Sequence, residues 1–209
     1  MEPFCSLILI FYFNQRTKYF EMNEFTNYVS KIIELDTKAQ SEFDLKIKTA
    51  EFKKGQFIVS EQSICRNIYY LKLGIIKFYF INAEGKEVIF RFFTEQSLFT
   101  SLESFILQKP TAHMMLTLEP VIVEYISKQD LDELCAKHHS ISKLNTYMLS
   151  MAATNMIRRF SELMSDRSSA RYNNFVLENS QLMQRISLGD LANYLGITQV
   201  SLSRIRAAK

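Results

Sequence analysis

Residues 186–209, ISLGDLANYLGITQVSLSRIRAAK, decide how this 209-residue chain is organised. Apolar side chains recur here at the three- and four-residue spacing of one helix face, and Gly196 interrupts the pattern. Glycine adopts a positive φ at little cost, so Gly196 predicts a corner between two short helices. Ser187, with Asp190 three residues later, predicts the start of the first helix, and Thr198 predicts the start of the second. The residues expected to pack these helices together are Leu191, Ala192, Leu195, Ile197, Leu202 and Ile205.

The outer face of the second helix keeps short polar groups, one apolar side chain and cations. This set suits the major groove of DNA, where Arg204 can fork onto guanine, Gln199 can pair with adenine and Val200 can contact a thymine methyl group. Hydroxyl groups and Lys209 suit phosphate oxygens. The pattern predicts a helix-turn-helix; the alternative is a two-helix corner that serves packing alone. The predicted DNA-contacting residues are Ser187, Thr198, Gln199, Val200, Ser201, Ser203, Arg204, Arg206 and Lys209.

Charge is distributed unevenly along the chain. The formal net charge is only +3, but from Arg158 onward there are eight basic and four acidic side chains. The rest of the chain is therefore about neutral. DNA binding by the C-terminal end requires such a distribution.

Other residue types exclude several classes of protein. Cys5, Cys65 and Cys135 are odd in number and widely spaced, which predicts a reducing cytosol and no metal site. The three histidines are scattered, and there is no GxSxG, HExxH or glycine-rich phosphate loop. The apolar run at residues 4–13 is roughly half as long as a membrane span. We expect no enzyme activity, no cofactor, no metal and no membrane insertion.

The central part of the chain predicts a β barrel. Short runs rich in Ile, Val, Phe and Tyr alternate with turn residues such as Gly55, Gly74 and Pro120. Six or more short strands at this spacing predict an antiparallel barrel or jelly roll. A short helix is expected at residues 101–107. The predicted strands are 47–52, 57–59, 68–71, 75–81, 88–93, 114–118 and 121–126.

After residue 129 the apolar period becomes helical, and residues 140–164 predict one long helix. Because this helix is apolar on more than one side, it needs two covers: its own barrel and, most simply, a second copy of itself. The alternative is a helix sandwiched between two domains of one chain. The motif DRSS at residues 166–169 predicts a hinge. The residues assigned to the dimer helix are Ile141, Leu144, Met148 and Met151, with Tyr147, Met156, Ile157, Phe160 and Leu163 broadening the stripe.

The chain resembles the Crp/Fnr family of bacterial transcription regulators, because a barrel, a long helix, a hinge and a helix-turn-helix follow one another in this order. The resemblance covers about residue 23 to the end. It implies a cyclic-nucleotide-binding-like sensing barrel and a homodimer on a palindromic DNA site. It also implies an effector and RNA polymerase as further partners. The motifs that carry it are FKKGQFI (52–58), IYYLKLGIIKFYF (68–80), NAEGKE (82–87), SARYNNF (169–175) and LANYLGITQVSLSRIR (191–206).

Two departures from the family pattern bear on function. Cyclic-nucleotide binders carry a Gly-Glu turn and an Arg-Ser or Arg-Thr pair that grips the phosphate; here Thr100-Ser101 and Thr111-Ala112 stand at those positions. Without the guanidinium, classical cyclic AMP binding is not expected. Relatives also continue into a β-hairpin wing, whereas this chain stops soon after Arg206, which predicts either a wingless member or a short reading frame. The residues assigned to an effector pocket are Thr100, Ser101, Thr111, Ala112 and His113, the last favoured as a packed histidine.

These observations predict an α+β fold with four parts. The first, residues 1–21, is an extension from a misassigned start or a flexible arm, because Met22 opens an ordinary amphipathic stretch. A sensing barrel with flanking helices (22–137), a dimerisation helix (138–166) and a helix-turn-helix domain (167–209) follow. The expected function is cytoplasmic, sequence-specific DNA binding through residues 198–206. The alternative is a small-ligand module whose DNA-binding end is vestigial.

Overall fold

The computed structural model describes residues 22–165 and 167–207. The predictions for residues 1–21, Asp166 and Lys209 lie outside the described residues. The helices and strands begin with α1 (Glu24–Ser30) and α2 (Thr37–Lys46), followed by β1 (Lys48–Phe52), β2 (Phe57–Val59), β3 (Asn67–Leu73), β4 (Ile76–Ile81), β5 (Glu87–Phe93), β6 (Leu98–Phe99), α3 (Leu102–Leu107), β7 (Met114–Thr117) and β8 (Val121–Ser127). The C-terminal helices are α4 (Lys128–Lys137), α5 (His139–Ser165), α6 (Ser168–Glu178), a 3₁₀ turn (Ser180–Gln184), α7 (Leu188–Leu195) and α8 (Gln199–Ala207).

The eight strands form two antiparallel sheets of four strands each. Their orders are β1-β8-β3-β6 and β2-β7-β4-β5. Each predicted run became a strand, with ends shifted by at most two residues. The two-residue strand β6 was not predicted, because so short a segment shows no alternation. The predicted fold class, an antiparallel jelly-roll barrel followed by helices, is confirmed.

Strand β3 shows how alternation builds two cores. Tyr69 and Leu71 point between the sheets, while Ile68 and Tyr70 point to the helices outside. Successive side chains of a strand face opposite sides, so one short strand serves both layers. The helical layer consists of α1, α2, α3, α4 and the first half of α5.

The long helix α5 uses its N-terminal half to cover its own barrel. Ile141 and Leu144 are fully buried, and Met148 is nearly so, within the core that includes Ile68 and Phe105. The prediction that these three residues form a dimer surface is therefore corrected, because helical periodicity reveals an apolar face but not its partner. Only Met151 of the four assigned residues is exposed.

A third core joins the C-terminal helices to the outer face of strands β4 and β5. Tyr79 and Phe92 of the barrel pack with Phe175 and Leu191 of α6 and α7. Two groups of ion pairs border this core. Lys77 contacts Asp190 at 3.1 Å, and Arg185 contacts Glu95 at 2.6 Å and also pairs with Glu119. Helices α6 and α7 thus rest directly on the barrel of their own chain.

Candidate nucleic-acid interface

Helices α7 and α8 have the lengths, order and turn expected of a helix-turn-helix. The backbone N–H of Asp190 donates to Ser187 Oγ at 2.9 Å, so Ser187 caps α7 as predicted. Gly196 ends the helix at φ 66° and ψ 36°, the left-handed conformation. The N–H of Ile197 then donates to the carbonyl of Ala192 at 3.0 Å. The predicted corner is present.

Thr198 caps the second helix, because its Oγ1 accepts the N–H of Ser201 at 3.1 Å. This cap directs α8 across α7, and Leu202 becomes fully buried against Leu195 and Ala192. Ile197 and Ile205 pack at the edge of the same core. The expected packing residues therefore hold the two helices together.

The outer face of α8 carries side chains that contact little else in the described part of the chain. Arg204 and Arg206 are exposed, and neither makes a hydrogen bond or ion pair with another described residue. Val200 is 62% exposed, and Ser203 is exposed as well. Both cations lie in the last turn of α8, where the helix dipole favours positive charge. Among residues 22–165 and 167–207, nothing occupies this face, and its charge suits an external anionic partner.

The other predicted DNA-contacting residues in the described part of the chain contact neighbouring residues of α7 and α8. The Gln199 amide nitrogen lies beside Gly189, where an added Cβ would be 3.0 Å away. The hydroxyls of Thr198 and Ser201 are 3.0 Å apart, and Ser187 Oγ is hydrogen-bonded to Asp190 Oδ2 at 2.7 Å. The hydroxyls of Ser187 and Thr198 therefore cap α7 and α8, and contact with DNA would be an additional role.

The C-terminal excess of positive charge has a partly structural role. Arg159 and Arg171 donate to the carbonyls of Tyr194 and Leu195 at the end of α7, the latter at 3.0 Å. Arg185 is held by two barrel carboxylates. The uneven charge indicated DNA binding by this end of the chain, but Arg159, Arg171 and Arg185 hold the C-terminal helices in place.

The five residues assigned to an effector pocket fall into two groups. Ser101 and Thr111 are buried, with hydroxyls 3.2 Å apart, and Thr111 Oγ1 also accepts the N–H of His113 at 3.0 Å. Thr100 donates to the carbonyl of Asn67 at 2.9 Å. Ala112 is exposed, and its methyl side chain takes no part in these hydrogen bonds. At the positions where the family grips a phosphate, these hydroxyls are therefore already paired with one another.

His113 packs among aromatic rings. Its ring centroid lies 5.3 Å from those of Phe78 and Phe90 and 5.8 Å from that of Phe80. Burial lowers the pKa of His113, which favours the neutral imidazole. This is the packed histidine that the sequence favoured. Within residues 22–165 and 167–207, no three histidine, cysteine or acidic side chains are grouped to hold a metal ion.

Sequence reasoning missed a polar cavity between β5, α5 and the C-terminal helices. Its polar lining includes Arg91, Arg158, Arg159 and Asn155, together with the carboxylates of Glu162 and Glu178. One signal was available, because Arg91 is the only charged residue in the apolar run VIFRFF at residues 88–93. No helix in the described part of the chain combines the length and the apolar character needed to cross a membrane.

Comparisons with known proteins agree with this architecture. The profile of the cyclic nucleotide-binding domain family matches residues 49–138. The fold is similar to that of FixK2 from Bradyrhizobium japonicum (TM-score 0.69, 15% identity, covering 78% of this chain and 83% of that one). It is also similar to a protein described as a Crp/Fnr-family transcriptional regulator from Eubacterium rectale (0.68, 16%, 86% and 85%) and to the c-di-GMP responsive global regulator CLP from Xanthomonas campestris (0.66, 15%, 83% and 91%). No curated protein sequence matches the chain.

Residues 49–138 therefore match the cyclic nucleotide-binding domain, and the fold of the chain is like those of the structures just named. This confirms the resemblance in architecture that the sequence motifs indicated. Two of the three structures just named are described as those of regulators.

Proposed function

We propose that this protein is a homodimeric, sequence-specific DNA-binding transcription regulator that reads a palindromic site with two copies of α8. The observation that carries the proposal is the outer face of α8, where Arg204 and Arg206 are exposed and unpaired within the described residues. Arginine in the major groove can donate two hydrogen bonds to one guanine. Two such helices would enter successive major grooves about 34 Å apart.

The second half of α5 supports the dimer. Met156, Ile157, Phe160 and Met164 lie on one side of α5 and are 50–73% exposed, along a stripe that no described residue covers. A contiguous apolar stripe on a long helix is typical of an interface, and a second copy of the same helix supplies a matching one. Each protomer would then present one α8 on the same side of the dimer.

The barrel is proposed to sense a signal other than cyclic AMP bound in the family manner. The hydroxyls of Ser101 and Thr111 satisfy each other, and Ala112 offers no charge to a phosphodiester. A buried phosphodiester without a guanidinium would lose its main charge-assisted hydrogen bonds. The resemblance to the Crp/Fnr regulators adds RNA polymerase as a proposed partner.

Arg204→Ala tests the DNA-binding proposal. Fluorescence anisotropy is measured on fragments from upstream of the gene and on variants with single base-pair changes. We expect the substitution to cost about 1–3 kcal/mol of discrimination at one base pair in each half-site. Arg66→Ala, which removes an exposed arginine from the barrel, should leave binding unchanged.

Two results would contradict the proposal. If the parent protein and the Arg66→Ala control both fail to bind DNA sequence-specifically, with or without cell extract, the chain is a ligand-binding module with a vestigial DNA-binding end. If Arg204→Ala weakens binding equally on all sequences, Arg204 contacts phosphate and does not read a base.

A further inference from the structure

The cavity between the barrel and the C-terminal helices has a volume of about 130 Å³. Strand β5 supplies one wall, α5 a second, and α6, the 3₁₀ turn and α7 the third. It is separate from the Ser101–Thr111 pair, neither of which lines it. An apolar cavity of roughly 150 Å³ holds a benzene molecule, so this space suits one small chemical group.

Arg91 reaches the cavity because strand β5 contains a bulge. Phe78 pairs with Arg91 and Tyr79 pairs with Ile89, which leaves Phe90 as an extra residue. A bulge of this kind turns neighbouring side chains away from the regular alternation. Arg91 keeps contact with solvent and has no acidic partner among the described residues. Desolvation by surrounding protein atoms and the charge of Arg158 lower the pKa of Arg91.

Helix α5 brings two more guanidinium groups to the same space. Arg158 is 62% exposed, and its nearest carboxylate, Glu162, is 3.9 Å away. Arg159 is nearly buried and lies 3.7 Å from the centroid of the Tyr194 ring. It donates to the Tyr194 carbonyl and, at 3.4 Å, to the carboxylate of Glu162. Its Nε is buried with no hydrogen-bond partner in the described structure. A buried donor without an acceptor is costly unless a ligand completes it.

We propose that this cavity binds the phosphate group of a small metabolite, with Arg91, Arg158 and the unpaired Nε–H of Arg159 as donors. Guanidinium groups match the oxygens of a phosphate, and an anion would relieve the repulsion between Arg91 and Arg158. Because the cavity opens to solvent, the rest of the metabolite can extend outward. Asn155 adds an amide to the same wall.

A ligand held here would join three parts of the chain. It would connect β5 of the barrel to α5, and through the Arg159–Tyr194 contact to α7. The bound form would therefore keep the C-terminal helices in their present position on the barrel. This consequence for DNA recognition rests on the proposed function, whereas the binding itself does not.

Isothermal titration of the full-length protein with inorganic phosphate and with pyrophosphate tests the site, with sodium chloride adjusted to keep ionic strength constant. We expect one phosphate site per chain. Arg91→Gln and Arg158→Gln should each weaken binding about tenfold or more, the loss expected for one charge-assisted hydrogen bond. Both residues are exposed, so circular dichroism should show an unchanged fold.

Arg66→Gln and Arg204→Gln are the matched controls, since each removes an exposed arginine elsewhere and should leave phosphate affinity unchanged. Absence of binding to the parent protein would overturn the proposal, as would an equal loss in all four variants. Normal phosphate binding by a protein that fails to bind DNA would support this site and contradict only the proposed function.

Discussion

At the scale of a single residue, Gly196 determines the angle between α7 and α8. Its φ of 66° is a conformation that costs other L-residues about 1–2 kcal/mol. A methyl group at this position would meet Leu163 Cδ2 at 3.8 Å, an ordinary contact, so backbone strain and not a clash is at stake. Gly196→Ala should therefore lower the free energy of unfolding by about 1 kcal/mol. Urea denaturation followed by circular dichroism measures the change.

Gly196→Asn provides the control for this prediction. Asparagine adopts the left-handed conformation more readily than alanine, so its loss should be the smaller of the two. If both variants were equally destabilised, side-chain volume would be responsible and the strain argument would fail.

At the scale of one element, α5 divides its apolar residues between two partners. Ile141 and Leu144 belong to the barrel core, whereas Ile157 and Phe160 face outward, 67% and 65% exposed. Phe160→Glu should give a monomer, because a dimer would bury the new charge without a partner. The monomer should stay folded, since the side chain is exposed within one chain. Analytical ultracentrifugation reports the mass.

Leu177→Glu supplies a matched substitution on α6, where the leucine is 81% exposed. It should leave the mass unchanged. A dimer that survives Phe160→Glu would show that the exposed half of α5 is not the interface, and a monomeric parent would show that no second copy covers it.

At the scale of the whole molecule, ion pairs between distant segments hold the C-terminal helices on the barrel. The hydrogen bond from Arg185 lowers the pKa of Glu95 from 4.5 to about 2. The pKa of the Glu95 carboxyl is lower in the folded state than in the unfolded state. The pair with Arg185 therefore stabilises the fold fully at pH values above the ordinary pKa of Glu95, 4.5. That contribution is lost as the pH falls from about 4.5 toward about 2.

Glu95→Gln should therefore lower the unfolding temperature at pH 7, with a loss of about 1–2 kcal/mol for this half-exposed pair. The difference from the parent should shrink as thermal melts are taken at progressively lower pH through the range just given. Glu84→Gln, which removes a surface pair with Lys86, should change little at any pH. A difference for Glu95→Gln that stays constant across the acidic range would contradict the linkage.

The local features of the fold could be predicted because each is encoded within a few residues. The caps at Ser187 and Thr198 and the turn at Gly196 depend on neighbours at most five positions away. The strands follow from alternation, and only β6 was too short to show it. The exposed position of Arg204 follows from the same helical periodicity.

The sequence by itself determined the antiparallel barrel, the long helix and the glycine corner, since propensity, periodicity and capping act over short stretches of chain. Only the tertiary structure decided that Ile141, Leu144 and Met148 face the barrel, and that Arg91 meets Arg158 and Arg159 at a cavity. It also decided that Lys77 pairs with Asp190, 113 residues away, and Arg185 with Glu95, 90 residues away. No local pattern encodes such pairs, because their geometry exists only once separate elements have packed.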